Sequence, residues 1–157
     1  MITAVQRVLR ARVVVDGEVV GAVDRGLLLF VGVEGGDCAA DADETARKVL
    51  NLRVFPKAKP TDLSVQDIQG GVLVISQFTL AAELQRGNRP DFTAAATPDV
   101  AQPLYERVVS GLRAGGVNVA TGQFGASMQV ELVNDGPMTF LLCVRDGKVR
   151  PRSDLHR

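Results

Sequence analysis

The chain has 157 residues, 46% of them apolar, and its 18 basic side chains are balanced by 18 acidic ones. That length fits one domain with a real core and argues against disorder. Zero net charge disfavours an extended grip on duplex phosphates but leaves a small footprint on a nucleic-acid end open.

No apolar run approaches the ~20 residues needed to cross a bilayer. The opening Met1-Ile2-Thr3-Ala4-Val5-Gln6-Arg7 lacks the plan of a signal peptide, so a cytoplasmic chain without a membrane role is expected. Residues 2–9 alternate as a strand, and Val13-Val14-Val15 continues the β pattern. Asp16-Gly17-Glu18 is a hairpin signal with a return strand over 19–23. The apolar run 27–33 suits a central strand. Asp41 with Glu44 resembles a capping box, Asp37 being the other candidate cap, and Ala42, Ala46, Val49 and Leu50 give a helical stripe to about Leu52. Pro56 to Pro60 forms a basic loop, and Leu63-Ser64-Val65 reads as a short edge strand.

Gln69-Gly70-Gly71 turns the chain into Val72-Leu73-Val74-Ile75, an uncharged β-branched run that reads as a buried strand. It ends abruptly in Ser76-Gln77-Phe78-Thr79-Leu80. Polar groups at the end of a buried strand either satisfy the local backbone or face a cleft. Residues 81–97 read as a long loop of the kind that is often functional. At its tip, Arg86 and Arg89 are either solvated charges or a clamp for a phosphate or terminal ribose. Thr97-Pro98 starts a second helix as N-cap and N1. Val100, Leu104, Val108 and Leu112 give its packed face, and Gly115-Gly116 stops it. A short strand over 117–119 and a one-face-buried strand with Met128, Val130 and Leu132 follow. Asn134-Asp135-Gly136-Pro137 reads as a turn into another apolar strand over 138–144, and 145–157 as a loose charged tail. Many antiparallel strands with two helices give an α+β domain, helices on one side.

The single histidine, His156, lies beside the C-terminus, and Cys38 and Cys143 are the two cysteines. A Ser–His–Asp or Cys–His site needs an ordered imidazole, and zinc needs a ligand cluster, so the common side-chain routes to hydrolysis are missing. The thiols read as reduced and structural. No phosphate-binding glycine loop opens a helix, and neither cofactor nor metal is called for.

Ser76-Gln77-Phe78-Thr79-Leu80 together with Asn134-Asp135-Gly136-Pro137-Met138-Thr139 resembles the D-aminoacyl-tRNA deacylase family. The resemblance spans about residues 1–144 and includes Val5-Gln6-Arg7-Val8, Arg86-Gly87-Asn88-Arg89-Pro90 and Met128-Gln129-Val130. Pro56-Lys57-Ala58-Lys59-Pro60-Thr61 and the basic tail depart from the family pattern. The resemblance implies a barrel-like, layered β/β/α arrangement of mainly antiparallel sheets, a homodimer, and hydrolysis of the ester between a D-amino acid and the 3′-terminal adenosine of tRNA. It implies catalytic-pocket roles for Ser76, Gln77, Phe78 and Thr79. It also implies substrate-binding roles for Gly136, Pro137, Arg7 and Met128. Gly136-Pro137 would be a cis dipeptide inserted into the partner subunit's pocket and braced by Arg7, although Asp-Gly-Pro on its own reads as an ordinary hairpin turn.

A rigid backbone carbonyl near the α-carbon tolerates a hydrogen there and collides with a side chain, which would exclude L-esters and admit glycine. For bond breaking, Thr79 is one candidate nucleophile. The preferred route is assistance by the neighbouring ribose hydroxyl, with Gln77 and the backbone N–H of Phe78 or Thr79 as oxyanion donors. The competing readings are a non-enzymatic dimeric module that binds RNA ends or a protein, and a generic esterase. The second is disfavoured by the missing Gly-x-Ser-x-Gly elbow. DNA is not an expected partner.

Overall fold

The computed structural model describes residues 1–85, 87–151 and 153. The N-terminal third holds β1 (Ile2–Val15), β2 (Glu18–Val23) and β3 (Gly26–Gly32), with the long β1 pairing β2 along one half and β3 along the other. Asp16 and Gly17 both take positive φ, 50° and 82°, the pair that a two-residue hairpin loop of right-handed twist requires. Helix α1 (Ala39–Asn51) leads to β4 (Gly71–Ser76) and a short 3₁₀ turn at Phe78–Ala81. Helix α2 (Pro98–Ala114), β5 (Asn118–Thr121), β6 (Gln129–Arg145) and β7 (Lys148–Val149) complete the chain.

Seven strands form one curled sheet in the order β5-β4-β3-β1-β6-β7, with β2 also paired to β1. The pairs made by β1 and β6 are antiparallel, whereas β3-β4 and β4-β5 are parallel. Alternation splits the core in two. Leu27, Leu29, Val72 and Val74 pack on Ala46, Val49, Val108 and Leu112 of the helices. Leu28, Leu73 and Ile75 point the other way, into the curl, with Val8, Ala11 and Val13. The architecture is therefore α+β, with both helices on one face of a barrel-like sheet. The helices approach closely at Gly111, where a Cβ would sit 2.8 Å from that of Ala46.

Several local expectations change. Residues 2–15 are one strand. Helix α1 starts a turn early: Cys38 is the N-cap and Asp41 is its N3 partner in the capping box. Residues 63–65 make only an isolated bridge, Phe55 to Leu63. The buried stripe of α2 is Ala101, Tyr105, Val108 and Leu112, while Val100 is exposed. A strict i+4 series drifts around a 3.6-residue helix, so its first member leaves the packed face. Residues 134–137 do not turn the chain back; β6 runs through them as a single strand. Arg145 belongs to β6, and Lys148–Val149 folds back on it, so the start of the expected loose tail is ordered.

Candidate functional site

Strands β3 and β4 run parallel and finish side by side, Val31 against Ser76. Carboxyl ends of parallel strands are where α/β sheets commonly present ligand sites. Here the chain leaves β4 through Gln77, whose N–H donates to the Val31 carbonyl at 2.8 Å, and winds into the 3₁₀ turn. Beside that exit lies a cleft of about 590 Å³. Ser76, Gln77 and Phe78 form one wall, Met128 and Val130 of the β5-to-β6 region another, and Phe92, Tyr105 and Phe124 the rest. Phe78 is exposed, and its ring meets that of Phe92 edge-on at 5.2 Å. At the inner end, the buried Tyr105 hydroxyl donates to the Val74 carbonyl at 2.8 Å. Burial pushes this phenol up to about 12. Among the described lining residues, Tyr105 is the only one whose side chain belongs to the usual acid–base set, and it stays protonated at neutral pH.

Thr79 is exposed and is not part of the cleft lining; its hydroxyl accepts a hydrogen bond from the Gln77 amide at 2.5 Å. An amide donor cannot act as a base for that hydroxyl. The N–H groups of Phe78 and Thr79 open the 3₁₀ turn, where helical geometry offers no internal acceptor.

The second motif lies elsewhere. Gln6 of β1 pairs with Thr139, and Val8 pairs with Asn134. Residues 135–138 therefore leave the ladder as an excursion. The Gly136-Pro137 peptide bond within it is cis, both residues are exposed, and neither lines this chain's own cleft. Arg7 is buried beneath. Its Nε donates to the Asp135 carbonyl at 3.2 Å and lies 3.0 Å from the Asp135 carboxylate, and its Nη1 donates to the Val54 carbonyl.

The structure thus brings Ser76, Gln77, Phe78 and Met128 together and keeps Arg7, Gly136 and Pro137 apart from them within one chain. Arg89 is exposed on the 81–97 loop, and Arg86 and His156 lie outside the described residues. Phe92, Tyr105 and Phe124 escaped the sequence reading. Phe92 falls in the loop whose length already marked it, whereas nothing in the sequence ties the other two rings to the 76–79 motif.

A family model described as "D-Tyr-tRNA(Tyr) deacylase" matches residues 4–143. The chain belongs to this family. A protein of Geobacter metallireducens named "D-aminoacyl-tRNA deacylase" is 52% identical over 143 residues, covering 90% of this chain and 95% of the relative. One of Aromatoleum aromaticum with the same name is 54% identical over 140 residues, covering 88% and 92%. Among solved structures, one titled "c-Myc DNA Unwinding Element Binding Protein" superposes with a TM-score of 0.86 at 39% identity, over 92% of this chain and 99% of that one. A structure titled as a probable eukaryotic D-amino acid tRNA deacylase reaches a TM-score of 0.79 at 16% identity, over 89% and 97%, a likeness of fold. Family membership makes the chain a hydrolase.

Proposed function

We propose that the chain hydrolyses the ester between a D-amino acid, or glycine, and the 3′-terminal adenosine of tRNA, and that it does so in the cytoplasm as a homodimer. The observation that carries the dimeric reading is the separation of the two motifs. Gly136 and Pro137 are exposed and lie outside the lining of the Ser76-Gln77-Phe78 cleft of their own chain. A two-fold dimer pairs each excursion with the partner subunit's cleft. The edge of β6 supports this, since along 129–143 it pairs with β1 on one side only.

In this reading the Gly136-Pro137 backbone faces the α-carbon of the aminoacyl group. A hydrogen fits there and a side chain does not. D-residues and glycine present hydrogen, and L-residues present carbon. The Phe78 and Thr79 N–H groups and the Gln77 amide stabilise the oxyanion that forms as water attacks. With no neutral-pH base among the described cleft residues, the vicinal ribose hydroxyl assists the water, and Thr79 is not the nucleophile.

The test is deacylation of D- and L-tyrosyl-tRNA in parallel, with wild type and Thr79→Ala. The expected result is cleavage of the D-ester alone, mostly retained in the variant. Cleavage of both esters would indicate a generic esterase, and cleavage of neither a module that binds RNA ends or a protein. Activity falling to background in Thr79→Ala would restore that residue as nucleophile.

A further inference from the structure

Selectivity by a backbone requires that the backbone hold still, and Arg7 grips the 135–138 excursion at one point, Asp135. A second grip lies at its neck. Gln6 Nε2 donates to Asn134 Oδ1 at 3.2 Å and to Thr139 Oγ1 at 3.3 Å, and Thr139 Oγ1 donates to the same Asn134 oxygen at 3.3 Å. These three side chains close a ring in which the donor and acceptor counts balance. Both amide hydrogens of Gln6 are used, the Thr139 hydroxyl gives one bond and takes one, and both lone pairs of Asn134 Oδ1 are filled. Asn134 and Thr139 are the two residues from which the excursion departs and to which it returns.

The ring also orients the Asn134 amide. With Oδ1 held by Gln6 and Thr139, Nδ2 is turned toward Gly136, close enough that a Cβ at position 136 would lie 3.1 Å from it. Successive residues of a strand project to opposite faces. Arg7 therefore holds the excursion from the buried face of β1 while Gln6 holds its neck from the other.

We propose that Gln6, Asn134 and Thr139 are positioning residues that fix the excursion and thereby set stereochemical selectivity without touching substrate. This rests on the function proposed above. Loosening the neck lets the backbone at 136–137 wander, which admits L-esters before it harms D-ester cleavage. Losing one or two neutral hydrogen bonds of this kind shifts such an equilibrium by about three- to tenfold.

The test compares D- and L-tyrosyl-tRNA cleavage by wild type, Gln6→Ala, Thr139→Val and Thr139→Ser. Thr139→Val keeps the shape and removes the hydroxyl, whereas Thr139→Ser keeps the hydroxyl. The expected result is a D-to-L rate ratio lowered about three- to tenfold in Gln6→Ala and Thr139→Val, through faster L-cleavage, with Thr139→Ser close to wild type. An unchanged ratio in both hydrogen-bond-deleting variants would overturn the inference. So would D- and L-rates that fall together with thermal stability, the mark of a merely structural role. Should Gln6→Ala fail to fold, the Val and Ser pair at 139 decides. Wild type cleaving neither ester would instead overturn the function on which the clamp depends.

Discussion

Replacing Arg7 by methionine keeps an unbranched side chain and removes the guanidinium that joins three parts of the fold. The Val54 carbonyl sits on a buried residue and would lose a charged donor, an effect of about 1.5–3 kcal/mol. The Asp135 side chain is 31% exposed, so its ion pair adds no more than about 1 kcal/mol. A total near 3 kcal/mol corresponds to a Tm lowered by roughly 6–12 °C for a chain of this size. Arg7→Lys keeps the charge but cannot reach both partners in the same geometry, so it should fall between. Thermal unfolding gives the stability term, and cleavage of D- and L-tyrosyl-tRNA reads the excursion. Both should move in Arg7→Met, with the D-to-L ratio falling alongside Tm. A variant with wild-type Tm would refute the energetic reasoning. One that loses stability but keeps full selectivity would show that Arg7 braces the fold and not the excursion.

Two further outcomes follow from titratable groups. Burial raises the Asp41 carboxyl, but the N–H groups of Gly147 and Cys38, each donating at 2.8 Å, outweigh it and hold the group below its ordinary range. A carboxyl lowered in the folded state contributes stability that is present above its unfolded value near ~4 and lost as pH falls through the folded one. Asp41→Asn should therefore be less stable at neutral pH by about 1 kcal/mol and unfold along a flatter acid limb; an acid limb as steep as wild type would contradict this. The chain contains one tyrosine and no tryptophan, so near-ultraviolet absorbance follows Tyr105 alone. Its ionisation should be centred at about 12 while the fold persists, and a midpoint at the ordinary ~10 would mean that the hydroxyl does not sit against Val74.

What was legible in the sequence was mostly local chemistry. Asp16-Gly17 fixes the first hairpin and Thr97-Pro98 the start of α2, because each needs only its own backbone angles. The register of β6 was not legible. Asn134-Asp135-Gly136-Pro137 carries every residue cue of a reversal, yet the strand continues because β1 pairs with it on both sides of the excursion. Parallel pairing was half visible: β3 and β4 are uninterrupted apolar runs, as strands buried on both faces must be, but such runs do not reveal direction. The cleft was legible where one segment builds it, at 76–78. It was not legible at Tyr105 and Phe124, which reach it from a helix and a loop distant in sequence.

The central strand β1 pairs with β3 at once but with β6 only when the far end of the chain arrives. Pairing across such a separation is slow, since loop closure comes before any reward from the contacts. The parallel strands that carry the cleft can be laid down on a growing chain, whereas the excursion rides on β6. A chain cut short before β6 would leave β1 as a bare strand edge, ready to pair with other chains. The strand that carries the Gly136-Pro137 excursion thus also covers the edge of β1 and brings Val130 to the cleft.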